Sequence, residues 1–350
     1  MHHSNILGTV GNTPVVQLVS LRGARGARVH AKLEFFNPGR SVKDRIALNI
    51  IERAEADGSL RPDALVMESS SGNTGIGLSM VCRVKGLRNV VVVDQNCPVE
   101  KLTLLRALGA TVVRLSSHSS RGADLTQSRI RLIEEVRRRA DVFVPNQYEN
   151  PNAPLAHYER TAQEILDFIA SQPRRVGTVM VSVGTGGTIT GVSRRLKEAI
   201  PSIRVVGVEP DGSTLFGGTK GPYLQQGPGN YFIPKNLCHD HIDEGVKVGD
   251  ADAFGMCRRM ARQEGVLLGG SSGAVLAAAA RLAADELDDI LCVLPDGGEK
   301  YLATIYDDAW LAANGVVLDE PPRPDVVEVD AESDVDYDAL ARRLCDEVPA

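Results

Sequence analysis

The chain has 350 residues, 43% of them hydrophobic, with 39 basic and 45 acidic side chains and a net charge of -6. That is enough for a large core or two lobes of ordinary domain size, and the charge balance gives no general attraction to nucleic acid or an anionic membrane. The sequence has no run of 18 apolar residues and no apolar leader segment, so the expectation is a cytoplasmic protein without a membrane partner.

In chain order, apolar residues alternate over 28–36, which reads as a strand. Asn37-Pro38-Gly39-Arg40-Ser41-Val42-Lys43-Asp44-Arg45 follows and opens a helix over 44–54. A strand over 65–67 runs into Ser69-Ser70-Ser71-Gly72-Asn73-Thr74-Gly75 and a helix over 76–85. Short β-branched runs at 90–93 and 111–115 flank a helix over 99–108 that carries Leu102, Leu105 and Leu108. A strongly basic helix covers 125–138, a short strand 142–144 and a helix 153–169. A strand over 179–183 then leads through Gly184-Thr185-Gly186-Gly187-Thr188 into a helix over 189–199, with another strand at 203–208.

The segment 211–241 is rich in Gly and Pro and forms no regular element. An excursion of that length inside a compact domain is more often functional than incidental, covering a cleft or making a subunit contact. Beyond it come a helix over 251–264, an apolar strand over 266–270 ending in Gly269-Gly270-Ser271-Ser272-Gly273, an alanine-rich helix over 274–284 and a strand over 290–294. From 319 the chain turns to proline and acids, a solvated extension with a short helix over 337–344. Strands apolar on both faces belong in sheets covered on both sides. Their alternation with helices gives an α/β fold with mainly parallel sheets.

Cysteines lie at 82, 97, 238, 257, 292 and 345, without a CxxC spacing, which fits a reduced chain. Cys82, Cys257 and Cys292 read as small buried hydrophobes. Cys97, past a strand end, is the one to watch for reactivity. No HExxH, EF-hand loop or cysteine-rich cluster calls for a metal, and no Gly-Xaa-Ser-Xaa-Gly elbow calls for a hydrolase.

The chemistry centres on Lys43 and the glycine loops. A lysine alone is most often a solvent-facing cation. In the first turn of a helix, the dipole disfavours its charge, and partial burial lowers an ammonium pKa further, which makes a reactive amine. Asp44 and Arg45 read as a structural charge network. The Gly184 to Thr188 loop, between strand and helix, can converge amides on a phosphate or can be a tight turn. It lacks both the Walker ending and the dinucleotide fingerprint. In the 69–75 loop, serine and threonine can cap the following helix, or its first turn can hold a carboxylate, with Asn73 as donor and acceptor. Ser271 can cap its helix or face a ring nitrogen, as a neutral partner. One lysine with several anion-cradling loops points to a cofactor held by an imine and a phosphate.

As an ordered set these segments resemble the β-replacement family of pyridoxal-phosphate enzymes, cysteine synthase and cystathionine β-synthase. The resemblance runs over about 7–313 and rests on Gly11-Asn12-Thr13-Pro14, Asn37-Pro38, Ser41 to Arg45, Ser71 to Gly75, Asn146-Gln147-Tyr148-Glu149-Asn150-Pro151, Gly184 to Thr188 and Gly270 to Gly273. It implies the fold-type II, tryptophan synthase β-like architecture. Residues 1–41 and 146–318 would form the larger cofactor-binding lobe, 42–145 the smaller mobile lobe and 319–350 an acidic extension. It implies pyridoxal 5'-phosphate bonded to Lys43, its phosphate on Gly184, Thr185, Gly186, Gly187 and Thr188, its ring oxygen at Asn73 and its ring nitrogen at Ser271. Ser70, Ser71, Gly72, Thr74 and Gln147 would take the substrate carboxylate. A homodimer and small amino-acid substrates are implied as well, with Lys43 moving the α-proton around an aminoacrylate.

Within the family, Val92-Val93-Asp94 before Pro98, Ser128-Arg129-Ile130, Gly212-Ser213 with Phe216-Gly217, and Leu294-Pro295-Asp296 through Tyr301 to Trp310 resemble N-(2-amino-2-carboxyethyl)-L-glutamate synthase. That enzyme joins O-phospho-L-serine and L-glutamate on the way to 2,3-diaminopropionate for siderophores, with relatives serving antibiotics. Arg129 matches an arginine that handles the acidic substrate there, as guanidinium suits carboxylate or phosphate; on residue type alone it is equally a surface arginine of a basic helix. Gly184 departs from that synthase, which has serine there, and Ser70 replaces the threonine usual in both groups. Gly221-Pro222-Tyr223-Leu224 and Gln226-Gly227-Pro228-Gly229 resemble ordinary cysteine synthase, so O-acetyl-L-serine or O-phospho-L-serine with sulfide is the alternative substrate pair.

Overall fold

The computed structural model describes residues 2–95, 97–116 and 125–319. The extension from 320 onward, with its expected helix over 337–344, lies outside the described residues. Strands are β1 (Val15–Leu18), β2 (Val29–Leu33), β3 (Leu65–Ser69), β4 (Arg88–Asp94), β5 (Thr111–Leu115), β6 (Val142–Phe143), β7 (Val176–Ser182), β8 (Arg204–Pro210), β9 (Glu244–Val248) and β10 (Asp289–Leu294). Helices are α1 (Lys43–Ala56), α2 (Asn73–Lys85), α3 (Val99–Ala107), α4 (Leu125–Arg137), α5 (Asn152–Ala156), α6 (Ala162–Ser171), α7 (Gly187–Ala199), α8 (Asp250–Glu264), α9 (Gly270–Ala283) and α10 (Asp308–Ala313).

Two sheets define two lobes. The larger runs β1-β2-β10-β7-β8-β9, and the smaller runs β5-β4-β3-β6. All pairings are parallel except β1 with β2. Every residue of β2 and β10 is buried, which fits strands covered by helices on both faces. Val179 and Val181 of β7 and Leu291 and Val293 of β10 pack with Ile165 of α6 and Ile189, Val192 and Leu196 of α7. Helix α9 lies against β10, β7, β8 and β9 and is itself covered by α8. Its run of alanines permits that double packing, since it is buried over most of its length. In the smaller lobe, α1 and α2 bury Ala47, Leu48, Ile51, Leu78 and Val81 against Val66, and Ile133 of α4 packs with Met67 and Val92.

Three local expectations need correction. The 28–36 stretch is not a half-exposed alternating strand; it is the fully buried β2, followed by a 3-10 turn over Glu34–Phe36. The 266–270 run is no strand: only Leu268 bridges, to Gly297. Its backbone is satisfied another way, because the Tyr306 hydroxyl both accepts from Leu268 N at 2.8 Å and donates to Leu268 O at 2.9 Å. A ladder partner is therefore not needed. The helix expected over 153–169 is interrupted by a π turn at His157–Thr161. The 211–241 excursion indeed carries neither helix nor strand.

The first turn of α1 is fixed by buried charge. Arg45 donates from Nε to Glu34 Oε2 at 2.6 Å and from Nη1 to Glu164 Oε1 at 2.6 Å. Its Nη2 reaches Thr13 Oγ1, Glu34 Oε1 and Glu164 Oε2 at 3.2, 2.9 and 2.8 Å. Lys32, 1% exposed on β2, donates to Glu164 Oε2 at 2.6 Å and to Thr13 O at 3.1 Å. Burial works against the Glu164 charge, yet hydrogen bonds and charge from Arg45 and Lys32 hold its carboxyl down at about 2. Arg45→Met removes one member and leaves two carboxylates facing one lysine. Removing a partner from a buried pair costs about 3–5 kcal/mol, and a clearly lowered urea or thermal midpoint of the apoprotein is the expected result.

Candidate active site

The chain is arranged so that parallel strands of both sheets end at one cleft of about 450 Å³. Loops after parallel strands are where such folds place ligands. The 70–74 loop follows β3, Asp94 ends β4, the Gly184 loop follows β7, and Pro295-Asp296 follows β10. Of the residues singled out from sequence, Lys43, Ser70, Ser71, Gly72, Asn73, Thr74, Arg129, Gln147 and Thr185 line the cleft. Gly184, Gly186, Gly187, Thr188 and Ser271 are not part of that lining.

Lys43 is the first residue of α1, half-buried, and opens onto the cleft. Its segment is held tightly. Val42 N donates to Pro295 O at 2.8 Å, and Ser41 bridges to Asp296. The preceding Arg40 takes a left-handed φ of 65°, a conformation that costs a non-glycine residue energy and persists where surroundings enforce it. Burial pushes the Lys43 ammonium down to about 8, against the opposing pull of Asp296. An amine with that pKa is partly free at neutral pH, as an attacking or proton-carrying lysine must be.

The 184–188 loop is a cradle that side chains would fill. A Cβ on Gly184 would meet Gly227 O at 2.2 Å, and one on Gly186, whose φ is +85°, would meet Leu237 at 2.6 Å. Gly186 is the N-cap of α7, a helix of 13 residues whose first amides have no intrahelical acceptor. Asn230 Nδ2 braces the loop through Gly184 O at 2.9 Å. Thr188 lies in the first turn, with Oγ1 3.2 Å from His157 Nε2.

Asp296 is the hub at the cleft floor. Its Oδ2 accepts from Asn73 Nδ2 at 2.8 Å and from the Tyr301 hydroxyl at 2.6 Å; its Oδ1 accepts from Ser271 Oγ at 3.4 Å. Asn73 is fixed at its other end by Lys300 Nζ, which donates to Oδ1. Ser271 sits in the first turn of α9, so the two residues expected to touch a ring share one carboxylate.

The 70–74 loop shows both of its possible uses. Ser70 Oγ accepts from Gly72 N at 3.2 Å and Gly75 N at 3.1 Å, so that hydroxyl caps α2. Thr74 Oγ1 donates to Gln147 Oε1 at 2.6 Å, drawing Gln147 to the first turn of α2. Glu68 ties the same two segments, accepting from Ser69 N at 2.9 Å and Gln147 N at 3.4 Å. Burial raises its carboxyl to about 7, although those amides and Arg129 oppose the shift. Asn146, next to Gln147, has a left-handed φ of 49°. Arg129 is 7% exposed, not a surface cation, and pairs with Asp94 Oδ2 and Ser71 Oγ.

Sequence reasoning passed over Lys101, which lines the cleft, and Lys300, which holds Asn73; Tyr223 and 225–230 form a wall of the cleft. The wall belongs to the 211–241 excursion, which thus does border the cleft. Cys97 is buried and its thiol is pushed up by burial, which removes the reason to watch it. Cys82, Cys257 and Cys292 are buried, as expected.

The comparisons agree with this geometry. The family model described as pyridoxal-phosphate dependent enzyme matches residues 6–296. The N-(2-amino-2-carboxyethyl)-L-glutamate synthase of Cupriavidus metallidurans is 43% identical over 314 residues, 88% of this chain and 91% of that protein. A cysteine synthase of Staphylococcus aureus is 40% identical over 303 residues, 86% of this chain and 96% of that protein. The structure of a hydrogen sulfide-producing enzyme from Fusobacterium nucleatum superposes with a TM-score of 0.80 at 37% identity, covering 86% of this chain and 100% of that one.

The residues present fit pyridoxal phosphate. The Gly184 to Thr188 cradle can take the phosphate through amides at a helix start. Lys43 offers the cleft an amine with a lowered pKa. Glycine-floored cradle, cleft lysine and parallel-strand architecture place the chain in a family: it belongs to the fold-type II pyridoxal-phosphate-dependent enzymes of the cysteine synthase and cystathionine β-synthase family, and is a β-replacement synthase.

Proposed function

We propose that this synthase joins O-phospho-L-serine and L-glutamate to give N-(2-amino-2-carboxyethyl)-L-glutamate, a precursor of 2,3-diaminopropionate for siderophore or antibiotic assembly. The observation that carries the reading is the 43% identity, over nine-tenths of its length, to the Cupriavidus metallidurans protein of that name. A cleft lined by Lys101 and Arg129 suits substrates with an extra anionic group. A second reading, cysteine synthesis from O-acetyl-L-serine or O-phospho-L-serine with sulfide, draws on Gly184 and on the 40% identity to the Staphylococcus aureus cysteine synthase.

The geometry supports the following division of roles. Bound pyridoxal phosphate supplies an electron sink for the charge left at Cα. The Lys43 amine takes the proton from Cα and later returns it. Ser70, Ser71, Gly72, Thr74 and Gln147 seat the α-carboxylate at the start of α2, with Arg129 walling that seat through Ser71 and Asp94. Asn73 and Ser271 face the ring, and the Gly184, Thr185, Gly186, Gly187 and Thr188 loop holds the phosphate. The 223–230 wall shields the cleft from water, which favours addition of the second substrate over hydrolysis.

We place the larger lobe over 1–41 and 146–318, with the 42–145 lobe closing over bound substrate in a cytoplasmic homodimer. Exposed Phe36, Val99 and Leu104, at 58%, 67% and 39%, give the apolar surface a partner copy would cover. Small-angle scattering with and without O-phospho-L-serine reads both points: twice the chain mass, and a smaller radius when substrate is bound.

Incubating holoenzyme with O-phospho-L-serine and either glutamate or sulfide, and weighing the product, tests the substrate pair. The glutamate adduct is the expected product, and cysteine as the sole efficient product would replace this reading with the second. The Lys43 amine gives a pH dependence of known sign. Because burial lowers its pKa to about 8, the free amine increases as pH rises and levels off above that value. Covalent capture of pyridoxal phosphate by the apoprotein should quicken about 50-fold between pH 6 and 8, following the free-amine fraction. Lys43→Ala should abolish both capture and turnover; the rise of visible absorbance reports the first.

A further inference from the structure

Among the cations lining the cleft, Lys101 has so far counted only as part of a basic lining, with no contact of its own assigned. It occupies the third position of α3, where the helix field disfavours a positive charge. It is 3% exposed. Its Nζ donates to Gln226 Oε1 at 2.7 Å and lies 5.1 Å from the centre of the Tyr301 ring. Among the described residues, no carboxylate lies within ion-pairing distance of it; Asp296 and Glu100 act on it only from farther off. Arg129 differs, since Asp94 already neutralises it. Lys43 differs too, since its amine is committed to the cofactor.

A buried ammonium with one neutral acceptor is an expensive arrangement unless something charged completes it. A glutamine oxygen is a weaker partner than an anionic oxygen, and Gln226 sits on the irregular wall, next to Gly227 with a φ of +104°. Such a partner can be displaced without breaking a helix or strand. The opening faces the cleft, because Lys101 and Gln226 both line it.

We propose that Lys101 is the anion-recognising residue of the substrate cleft, exchanging Gln226 for an anionic oxygen group that one substrate carries besides its α-carboxylate. The inference rests on the β-replacement reading and deepens it. Two groups share that chemistry: the phosphate on Cβ of the first substrate and the distal carboxylate of the amine that adds second.

Spectral titration of the holoenzyme distinguishes them. Wild type, Lys101→Gln and Lys101→Arg are titrated with O-phospho-L-serine, O-acetyl-L-serine, inorganic phosphate and glutarate, following the cofactor's absorbance. A charge-assisted hydrogen bond is worth about 10- to 100-fold in affinity. Lys101→Gln should lose that much for phosphate and O-phospho-L-serine relative to O-acetyl-L-serine if the group is the phosphate. The loss should fall on glutarate if it is the distal carboxylate, and Lys101→Arg should recover part of it. Equal losses for O-acetyl-L-serine and the anions would make Lys101 a structural residue, and no loss for any anion would likewise overturn the proposal. If wild type turns over only O-acetyl-L-serine and sulfide, the substrate pair proposed above falls. Lys101 is still judged by phosphate and glutarate, and the affinity for at least one of them must drop in Lys101→Gln for the inference to stand.

Discussion

The buried guanidinium of Arg45 is the constraint on which the site depends. It stands two residues after Lys43 on the same helical turn, and all three of its nitrogens donate to Glu34, Glu164 or Thr13. Those partners come from three separate parts of the larger lobe: the segment before β1, the turn after β2 and helix α6. Lys32 supplies the second cation, so two positive and two negative charges nearly cancel inside the core. Replacing Arg45 with lysine would keep the charge but lose the planar fork that reaches several acceptors at once. With α1 anchored in this way, the Lys43 amine has little choice about which cavity it enters.

The same network explains why scattered motifs travel together. Asn37 Nδ2 donates to Glu34 Oε2 at 3.0 Å, and its Oδ1 accepts from Gly11 N at 2.8 Å. Gly11 to Pro14, Asn37-Pro38 and Ser41 to Arg45 are therefore pieces of one polar knot. In the sequence they look like three short signatures of unknown purpose. Asp296 forms a second knot at the cleft floor, joining Asn73 of the smaller lobe to Ser271 and Tyr301 of the larger. Both knots lie where strands end, because parallel strands deliver their loops to one edge.

What was legible in the sequence follows from this. Apolar β-branched runs marked β4, β7, β8 and β10, since a strand largely buried on both faces leaves a local trace, while the edge strand β5 was marked by its β-branched residues alone. The glycine loops were legible because the backbone needs glycine where another segment approaches closely, as at Gly184 and Gly186. The run 266–270 misled for the opposite reason. Its composition is that of a strand, but its amide and carbonyl are taken by a tyrosine hydroxyl 38 residues away, and no local pattern encodes that. β1 and β9 were missed because each is a short edge strand with exposed positions, so neither shows a continuous apolar run. Arg129 was placed at the site only by resemblance; its burial against Asp94 depends on the 94 and 129 segments meeting in space.

Lys101 shows where sequence reading stops. In a helix that also carries Glu100 and Arg106, one more lysine has the pattern of a solvated face. Only the fold turns it inward, over Tyr301 and toward Gln226, and only the full set of pairings separates it from Arg129. The two cations have similar charge and line the same cleft, yet they present different fields to a substrate. One is largely cancelled by an adjacent carboxylate and fixes a loop. The other has a neutral partner on a wall that can shift, so its charge is available to whatever enters. On the proposed roles, Lys43 and the cradle carry the reaction, and discrimination among amino-acid substrates falls to a side chain of that second kind.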